Sequence, residues 1–523
     1  MIVDGRVAVY RQPGLAYPAT CPYDPSEGYP EYPFAGPAAS ANGVYAAVRE
    51  TLRLAGLDEA RFGTPRWNPL GDLVPPGATV LIKPNWVRHY HVTGADLFSI
   101  ITHPSVLRPI VDYAFLAVGP AGRIHVMDAP NFDADFDVLD RLCHLRELEQ
   151  VLQGRGVPVR VGDLRSLVVR LDRGVVVERT RRRQWETEGV EIDLGADSEL
   201  ADLRGSLNRL FGSDYDRRVT IGFHHASGGA AEKHCYRIAA RALEADLVIS
   251  VPKLKTHKKT GVTLNMKNMI GINTDKNYIP HYRVGSPADG GDEFPDTPVW
   301  SKRLRRRVIR GAIDYGLARL GRPGERAAHQ FMRQWTERKR PTLEREAGRR
   351  LDPIDVFYRT VQGDDWRTGN WWGNDTCWRC ALDMNKILLY ATPDGRLPGD
   401  RQRRYLSLVD GIVGGDEDGP MAATPRPEGV LLAGFDPLTV DSVATEAMGL
   451  RTDRVRDQVR GWRLTRFPIA SPGVRITVRS NWPAWQDGIL PGTDLRFRPH
   501  PAWVEYLEPA NWKSSELATS STP

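Results

Sequence analysis

Two lysines and a histidine occupy alternate positions just after a short apolar run in the middle of the chain. Lys253-x-Lys255-x-His257 follows DLVISV at 246–251, a run typical of a buried strand. In an extended chain, residues two apart project to the same side, so these three side chains are expected to converge. Ammonium groups bind phosphate or carboxylate, and an imidazole or a lysine of lowered pKa can transfer a proton. The pattern predicts Lys255 and His257 as catalytic residues and Lys253 as a substrate-binding residue.

The same region is unusual in its choice of cation. Only 12 of the 71 basic residues are lysines, yet the segment between Arg241 and Arg283 contains six lysines and no arginine. Lysine is a compact charge that can lose its proton, whereas arginine is a planar, permanently charged fork. The segment therefore indicates a need for lysine itself. A partly exposed basic loop is the alternative interpretation, and we expect these charges to contribute little to stability.

Polar side chains also stand at the ends of other predicted elements. Lys83 and Asn85 end the run ATVLIKPN at 78–85, and Lys267 and Asn268 precede Gly271, where the backbone could approach a ligand closely. In open α/β sheets, ligands bind at the carboxyl ends of the strands. We therefore predict that Lys83, Asn85, Lys267 and Asn268 bind the substrate in the same pocket, although a structural turn would also explain the last two.

Three carboxylates are placed at comparable positions. Asp128 follows the predicted strand RIHVM at 123–127, and Asp410 and Asp436 follow apolar runs further along the chain. Carboxylate oxygens are the ligands that hard divalent cations prefer, so these three residues are candidate metal ligands. Two alternatives stay open, because the carboxylates could instead hold the lysines by ion pairs, or cap helices, as Asp436 before Pro437 suggests.

The order of the predicted elements gives the fold class. A strand over 78–83, a helix that begins near Pro104 and a strand over 123–127 form a strand–helix–strand unit, which predicts parallel pairing. His103, just before that helix, is either its cap or a second catalytic base. We also predict a helix over 236–244 and a strand over 387–390.

The predicted architecture is α/β, with a mostly parallel sheet, helices on both faces and two inserted subregions. One insertion is rich in β-hairpins and the other is helical. The predicted divisions are an N-terminal part of the core (1–150), a β-rich insertion (151–230), a Lys-rich core segment (231–284), an Arg-rich helical insertion (285–355), a C-terminal part of the core (356–455) and a C-terminal extension (456–523).

The cysteine content bears on redox chemistry. Five cysteines are too few, and odd in number, for a disulfide framework. Cys377 and Cys380 form a lone Cys-x₂-Cys, and a zinc or iron site would need two further ligands. We interpret this pair as core residues on a helical turn.

Composition limits the remaining classes. No window approaches the roughly 18 consecutive apolar residues of a membrane span, and the first residues lack a signal-peptide apolar region. We therefore expect a cytoplasmic protein without a membrane partner. The net charge of +6 and the basic run at 302–307 are weak indications of nucleic-acid binding, since no reading module accompanies them; a solvated helix face explains the run. An oligomer stays open.

Six blocks of the chain resemble one known family. They are VLIKPN (80–85), THP (102–104), the Lys-rich block at 245–273, WRCALDMNKILLY (378–390), VDGIVGGDEDGP (409–420) and GVLLAGFDPLTVDSVA (429–444). In this order they resemble the prokaryotic domain-of-unknown-function family 362. The resemblance implies a link to iron–sulfur redox chemistry, because many relatives carry ferredoxin-like modules. This chain lacks their Cys-x₂-Cys-x₂-Cys run, which argues against an iron–sulfur cluster.

The sequence as a whole favours an enzyme of specialised metabolism. We expect acid–base or group-transfer chemistry on a small anionic substrate, a carboxylate or a phosphate, with a divalent metal ion as a candidate cofactor. Two alternatives from other classes stay open: an iron–sulfur redox protein and a nucleic-acid-binding protein.

Overall fold

The computed structural model describes most of the chain. The described residues are 5–34, 41–172, 175–203, 210–212, 224–226, 233–297, 299–301, 304–305, 308, 321–348, 350–351, 356, 359–360, 368–489 and 492–509. Four residues of the basic run, at 302–303 and 306–307, lie outside this set.

Eighteen strands are described. They are β1 (Arg6–Arg11), β2 (Thr79–Pro84), β3 (Arg123–Asp128), β4 (Val159–Asp163), β5 (Leu167–Asp172), β6 (Val175–Arg181), β7 (Gly189–Asp193), β8 (Leu210–Gly212), β9 (His225–Ala226), β10 (Lys233–Ala239), β11 (Leu247–Val251), β12 (Lys253–His257), β13 (Gly261–Val262), β14 (Pro280–Arg283), β15 (Arg404–Asp418), β16 (Ala422–Arg426), β17 (Val430–Gly434) and β18 (Thr477–Ser480).

Eleven α-helices are described with them. They are α1 (Gly43–Leu54), α2 (Pro104–Val118), α3 (Phe136–Cys143), α4 (Leu145–Gly154), α5 (Ala240–Leu243), α6 (Leu264–Asn268), α7 (Gly321–Ala347), α8 (Cys377–Tyr390), α9 (Pro437–Ala447), α10 (Arg456–Gly461) and α11 (Val504–Leu507).

One large sheet of eleven strands organises the molecule. Its main path runs β18-β1-β17-β15-β11-β2-β3-β4, and β12, β13 and β16 attach to β15 or to each other. The neighbours from β15 through β11, β2 and β3 to β4 are all parallel, whereas β17 is antiparallel to both β15 and β1. This mixed, mostly parallel sheet confirms the predicted α/β class.

Both faces of the sheet are covered by helices. Val80 and Ile82 of β2 share one apolar cluster with Val48 of α1 and Val106 of α2, whereas Leu81 lies in a second cluster that includes residues of α8. Successive side chains of a strand point to opposite faces, so β2 is apolar on both sides. A fully buried strand of this kind is expected at the centre of a parallel sheet.

Two of the predicted elements are wrong. The segment predicted as a helix over 236–244 begins as strand β10, which pairs with β7, and only Ala240–Leu243 is helical. The segment predicted as a strand over 387–390 is the last turn of α8. Short apolar runs fit either a strand or a buried helix, and here tertiary pairing decides between them.

The two predicted insertions contain the expected kinds of element. Strands β5 and β6 form an antiparallel hairpin, and α7 spans 27 residues of the Arg-rich segment. Strand β4, however, which the sequence groups with the first insertion, is parallel to β3 and is the outer strand of the main sheet. Among the described helices, none is both long and apolar enough to cross a membrane.

Candidate functional site

Several of the predicted site residues lie where strands of the parallel half of the sheet end. Lys83 is at the end of β2 and Asp128 is the last residue of β3. Only Pro252 separates β11 from β12, so the chain leaves one buried strand and immediately pairs again with β15, Lys253 opposite Asp410. The sheet therefore brings residues from distant parts of the sequence to one edge, as expected for the carboxyl ends of parallel strands.

The first centre is a buried ion pair between neighbouring strands. Lys83 Nζ donates to Asp128 Oδ1 at 2.7 Å, to Asn268 Oδ1 at 2.9 Å and to Pro84 O at 2.7 Å, and the other Asp128 oxygen accepts from the Trp86 amide at 2.7 Å. Burial lowers the pKa of Lys83, and the Asp128 carboxylate opposes that effect. Lys83 and Asn268, both predicted to bind substrate, are thus joined to each other.

A glycine closes tightly over this pair. A Cβ atom on Gly271 would lie 2.0 Å from Asp128 Oδ1 and 2.5 Å from Lys83 Nζ. The carbonyl of Gly271 also accepts from the Ala129 amide at 2.8 Å. Because Gly271 has no side chain, its backbone can lie against the Lys83–Asp128 ion pair. The sequence, by contrast, suggests that the backbone approaches a ligand at this position.

The second centre contains Lys253, Asp410 and a tyrosine from the N-terminal loop. Lys253 Nζ donates to Asp410 Oδ2 at 2.9 Å and to the Tyr17 hydroxyl at 2.6 Å, and Tyr17 donates to Asp410 Oδ1 at 2.6 Å. Burial lowers the pKa of Lys253, with Asp410 acting in the opposite direction. Sequence reasoning misses Tyr17, because a tyrosine in a Pro/Gly-rich loop carries no signal of its own.

His103 caps helix α2 beside this centre. Its Nδ1 accepts from the Ser105 amide at 3.1 Å, its own amide donates to Asp410 Oδ2 at 3.1 Å, and its ring stacks on Tyr17 with centroids 4.1 Å apart. Burial lowers the pKa of His103 well below its usual range, and Lys253 lowers it further. Of the two roles left open by the sequence, the cap is the one that the contacts support.

Lys255 differs from both neighbouring lysines. Its side chain is fully buried, and its ammonium donates only to neutral oxygens: Asn85 Oδ1 at 2.8 Å, Ile100 O at 2.5 Å and Pro420 O at 3.2 Å. No described carboxylate pairs with it. Burial lowers the pKa of Lys255 well below its usual range, and Lys253 lowers it further. The expectation of partly exposed lysines is wrong here.

Asn85 joins Lys255 to the end of β2. It is half-buried, its backbone amide donates to the Thr102 hydroxyl at 2.9 Å, and that hydroxyl donates to Val251 O at 2.7 Å. The side-chain oxygen of Asn85 accepts from the Lys255 ammonium, so Asn85 is the half-buried member of this group of contacts.

A further lysine belongs to this region although the sequence-based site prediction omits it. Lys276 is 7% exposed, and its ammonium donates to Ile270 O at 3.1 Å and Asn273 O at 3.2 Å. Burial lowers its pKa to about 7, with Asp128 opposing and Lys83 reinforcing the effect. The absence of arginine around Lys276 is the signal that could have found it.

Two of the four buried lysines Lys83, Lys253, Lys255 and Lys276 have no carboxylate partner among the described residues. Lys83 and Lys253 have carboxylate partners, whereas Lys255 and Lys276 form no ion pair with a described residue. Buried charges normally occur in pairs, so Lys255 and Lys276 differ in this respect from Lys83 and Lys253.

His257 and Lys267 lie on the continuation of the same elements, away from the two ion pairs. His257 Nδ1 accepts from the Lys259 amide at 3.0 Å. Burial lowers the pKa of His257 well below its usual range, and the positive charges of Lys267 and Lys259 lower it further. The sequence predicts one pocket for these residues and Lys255, but neither side chain shares a hydrogen-bonding partner with Lys255 among the described residues.

The three candidate metal ligands do not form one centre. Asp128 and Asp410 are engaged by lysines, and Asp436 caps α9 by accepting from the amides of Leu438 and Thr439. Within the described residues, no group of three or more His, Cys, Asp or Glu side chains is placed to hold a metal ion. The arrangement supports the alternative in which these carboxylates hold lysines and cap a helix.

The cysteines occupy a different part of the molecule. Cys377 and Cys380 are buried at the start of α8, as the core interpretation expects, and all five cysteines are free thiols. The donor set that an iron–sulfur cluster needs is therefore not assembled around this pair in the described part of the chain.

Comparison with known proteins gives one match. A family model described as "Domain of unknown function (DUF362)" matches residues 164–446, just over half of the 523 residues. No curated protein and no solved structure matches the chain. The matched range contains Lys253, Lys255 and Asp410, while Lys83 and Asp128 precede it.

Proposed function

The chain belongs to the family described as domain of unknown function DUF362, and because that description states no reaction, we propose a function from the site itself. We propose that the protein is an enzyme that performs acid–base or group-transfer chemistry on a small anionic substrate, a carboxylate or a phosphate. In this proposal Lys255 exchanges the proton, and Lys83, Lys253 and Asn85 set the geometry around it.

The observation that carries this proposal is the environment of Lys255. Its three acceptors match the three N–H groups of an ammonium, yet all three are neutral oxygens. Lys386, a comparably buried lysine elsewhere, has Glu199 at 2.6 Å. A buried ammonium without a counter-ion is costly, and a carboxylate or phosphate from the substrate would supply the missing charge.

The same environment suits proton transfer. Burial and the charge of Lys253 lower the pKa of Lys255, so its ammonium gives up a proton more readily than an ordinary lysine. The ammonium would donate to a substrate oxygen or leaving group, and the resulting amine would accept a proton to complete the cycle. Positioned groups of this kind contribute about 10²–10⁴-fold to rate.

The paired lysines have a supporting role. Lys83 and Lys253 are held by Asp128 and Asp410, so each contributes a fixed dipole rather than a mobile charge. Their positions fix the field at Lys255 before substrate arrives, and such preorganisation is an effective means of stabilising charge in a transition state.

We also infer that the protein works in the cytoplasm. All five cysteines are free thiols, and Cys143, Cys235, Cys377 and Cys380 are buried. Unpaired thiols are usual in the reducing cytoplasm and uncommon in secreted proteins, which supports this assignment.

The test is anion binding followed through thermal unfolding. We expect the melting temperature of the wild type to rise with added phosphate or small carboxylates, and Lys255→Met to remove most of that rise. Lys386→Met is the matched control, because it deletes a buried lysine whose partner is Glu199, and its anion response should stay at the wild-type level. An unchanged response in Lys255→Met, or an equal loss in Lys386→Met, would contradict the proposal.

A further inference from the structure

We propose that Lys267, His257 and His281 form a second anion-binding subsite next to Lys255, so that the substrate carries two acidic groups. This inference rests on the proposed function, since it assigns the second group to the substrate that Lys255 receives. The substrate class would then be a small compound with two acidic groups, either two carboxylates or two phosphate groups.

Lys267 is the main evidence for this subsite. Its side chain is only 8% exposed, and it forms no hydrogen bond or ion pair with any described residue. Its Nζ is not among the described side-chain nitrogen and oxygen atoms that are both buried and without a partner, so the ammonium reaches solvent at the end of a largely buried stem. An external anion can therefore reach this ammonium and supply the counter-ion that the described residues do not.

His257 adds a donor beside Lys267. It is 6% exposed, and because its Nδ1 accepts a hydrogen bond from the Lys259 amide, the neutral ring carries its proton on Nε2. No described residue accepts from that Nε2. Burial keeps the pKa of His257 low, so the ring presents a neutral N–H donor rather than a second competing cation.

His281 and Lys259 are two further basic residues near Lys267 and His257. Burial lowers the pKa of His281 well below its usual range, and the positive charges of Lys267 and Lys259 lower it further. Burial raises the pKa of the Asp457 carboxyl group to about 7, and the positive charge of Lys267 opposes that effect. No ion pair joins Asp457 to Lys267, so the Lys267 ammonium has no carboxylate partner among the described residues.

The spacing of the two subsites suits a small molecule. Lys255 and His257 are two residues apart on β12, and a strand advances by about 3.3 Å per residue, so their backbones are separated by roughly 6.6 Å. Helix α6 starts beside the same strand, since the amide of its N-cap residue Thr263 donates to Lys255 O at 2.9 Å, and Lys267 lies on that helix. Two acidic groups joined by a short carbon chain or an oxygen bridge fit that separation.

The test compares matched anions that differ in the number of acidic groups. Butyrate and succinate share a four-carbon chain, and phosphate and pyrophosphate form the second pair. Dissociation constants would be measured by calorimetry for the full-length wild type, Lys267→Met, Lys255→Met and the control Lys386→Met. We expect succinate, pyrophosphate or both to bind the wild type about tenfold more tightly than the partner with one acidic group, the scale of one charge-assisted hydrogen bond.

The variants separate the two proposals. Lys267→Met should reduce the advantage of the anion with two acidic groups about tenfold while leaving the affinity for butyrate or phosphate near the wild-type value. Lys255→Met should weaken the binding of both members of a pair. An unchanged preference for the anion with two acidic groups in a folded Lys267→Met, or equal wild-type affinity for both members of each pair, would overturn the second subsite alone. Absence of binding by all four anions would contradict the proposed function itself. If Lys267→Met does not fold, His257→Phe serves instead, because it removes the ring N–H donor and keeps a ring of similar size. It should also reduce the preference for the anion with two acidic groups, and an unchanged preference would overturn the subsite.

Discussion

The Lys253 ammonium lies 2.9 Å from the Asp410 carboxylate, across two adjacent strands and with both side chains fully buried. Two residues further along the same strand, Lys255 has no such partner among the described residues. One strand therefore presents a neutralised lysine and an uncompensated lysine side by side. The contrast identifies Lys255, rather than the whole basic segment, as the centre of the proposed chemistry.

Substitution of Lys255 by arginine should be nearly as damaging as its removal. Arginine keeps the charge but adds bulk, has a planar donor set and cannot recycle a proton near neutral pH. We expect turnover to fall by about 10²–10⁴-fold in both Lys255→Arg and Lys255→Ala, measured on the substrate that the anion panel identifies. Because the site is closely packed, the arginine variant should also lose about 1–3 kcal/mol of stability. Near-normal turnover in Lys255→Arg would remove Lys255 from the proton transfer.

A single methyl group at Gly271 should break the first ion pair. The new Cβ atom of Gly271→Ala would lie 2.0 Å from an oxygen of Asp128, so the pair with Lys83 must move apart. Disrupting a buried pair typically costs about 3–5 kcal/mol, and we expect a loss of that order in denaturant unfolding, together with loss of the anion response. Gly154→Ala, where no atom lies within 4 Å of the added Cβ, is the control and should unfold like the wild type.

The Lys83–Asp128 pair should show strong coupling in a double-mutant cycle. Lys83→Met leaves a buried carboxylate unpaired, and Asp128→Asn leaves a buried ammonium with weaker partners. We expect each single variant to lose about 3 kcal/mol or more of unfolding free energy, and the double variant to lose less than the sum of the two. Additive losses would show that the two groups do not depend on each other.

The lowered pKa of Lys276 predicts that the unfolding free energy depends on pH in a particular direction. Its pKa is about 7 in the folded protein, against 10.5 for an ordinary lysine, so between these pH values the unfolded chain binds more protons than the folded chain. The unfolding free energy therefore rises as pH increases from about 7 to 10.5, with a slope of at most about 1.4 kcal/mol per pH unit from this group. Urea unfolding of Lys276→Met should show a shallower rise over that range. Equal slopes in the variant and the wild type would disprove the assignment.

Elements with strong local signals could be predicted from the sequence. Helix α2 begins at Pro104 as expected, because a proline in the first turn and an apolar helical period act locally. Strand β10 could not be predicted in this way, since its pairing partner β7 lies about forty residues earlier in the chain. Its apolar residues fit a helix equally well until that partner is known.

The residue types of the site could be predicted from the sequence better than the contacts between them. The excess of lysine over arginine between Arg241 and Arg283 is visible in the sequence, and it singles out the segment that contains Lys253 and Lys255. The burial of Lys255 and its lack of a carboxylate depend on Asn85 and Pro420, which come from distant segments. No local pattern encodes such an arrangement, because it arises only when the sheet is assembled.

The strand order has a consequence for experiments that isolate the family-matched segment. The range 164–446 lacks β2, which lies directly beside β11 in the intact sheet. A fragment cut at residue 164 would expose the whole edge of β11, an apolar strand with every residue buried in the full protein. Unprotected edges of this kind pair with other chains and aggregate. We therefore expect the segment matched by the family model to need the preceding residues in order to fold and stay in solution.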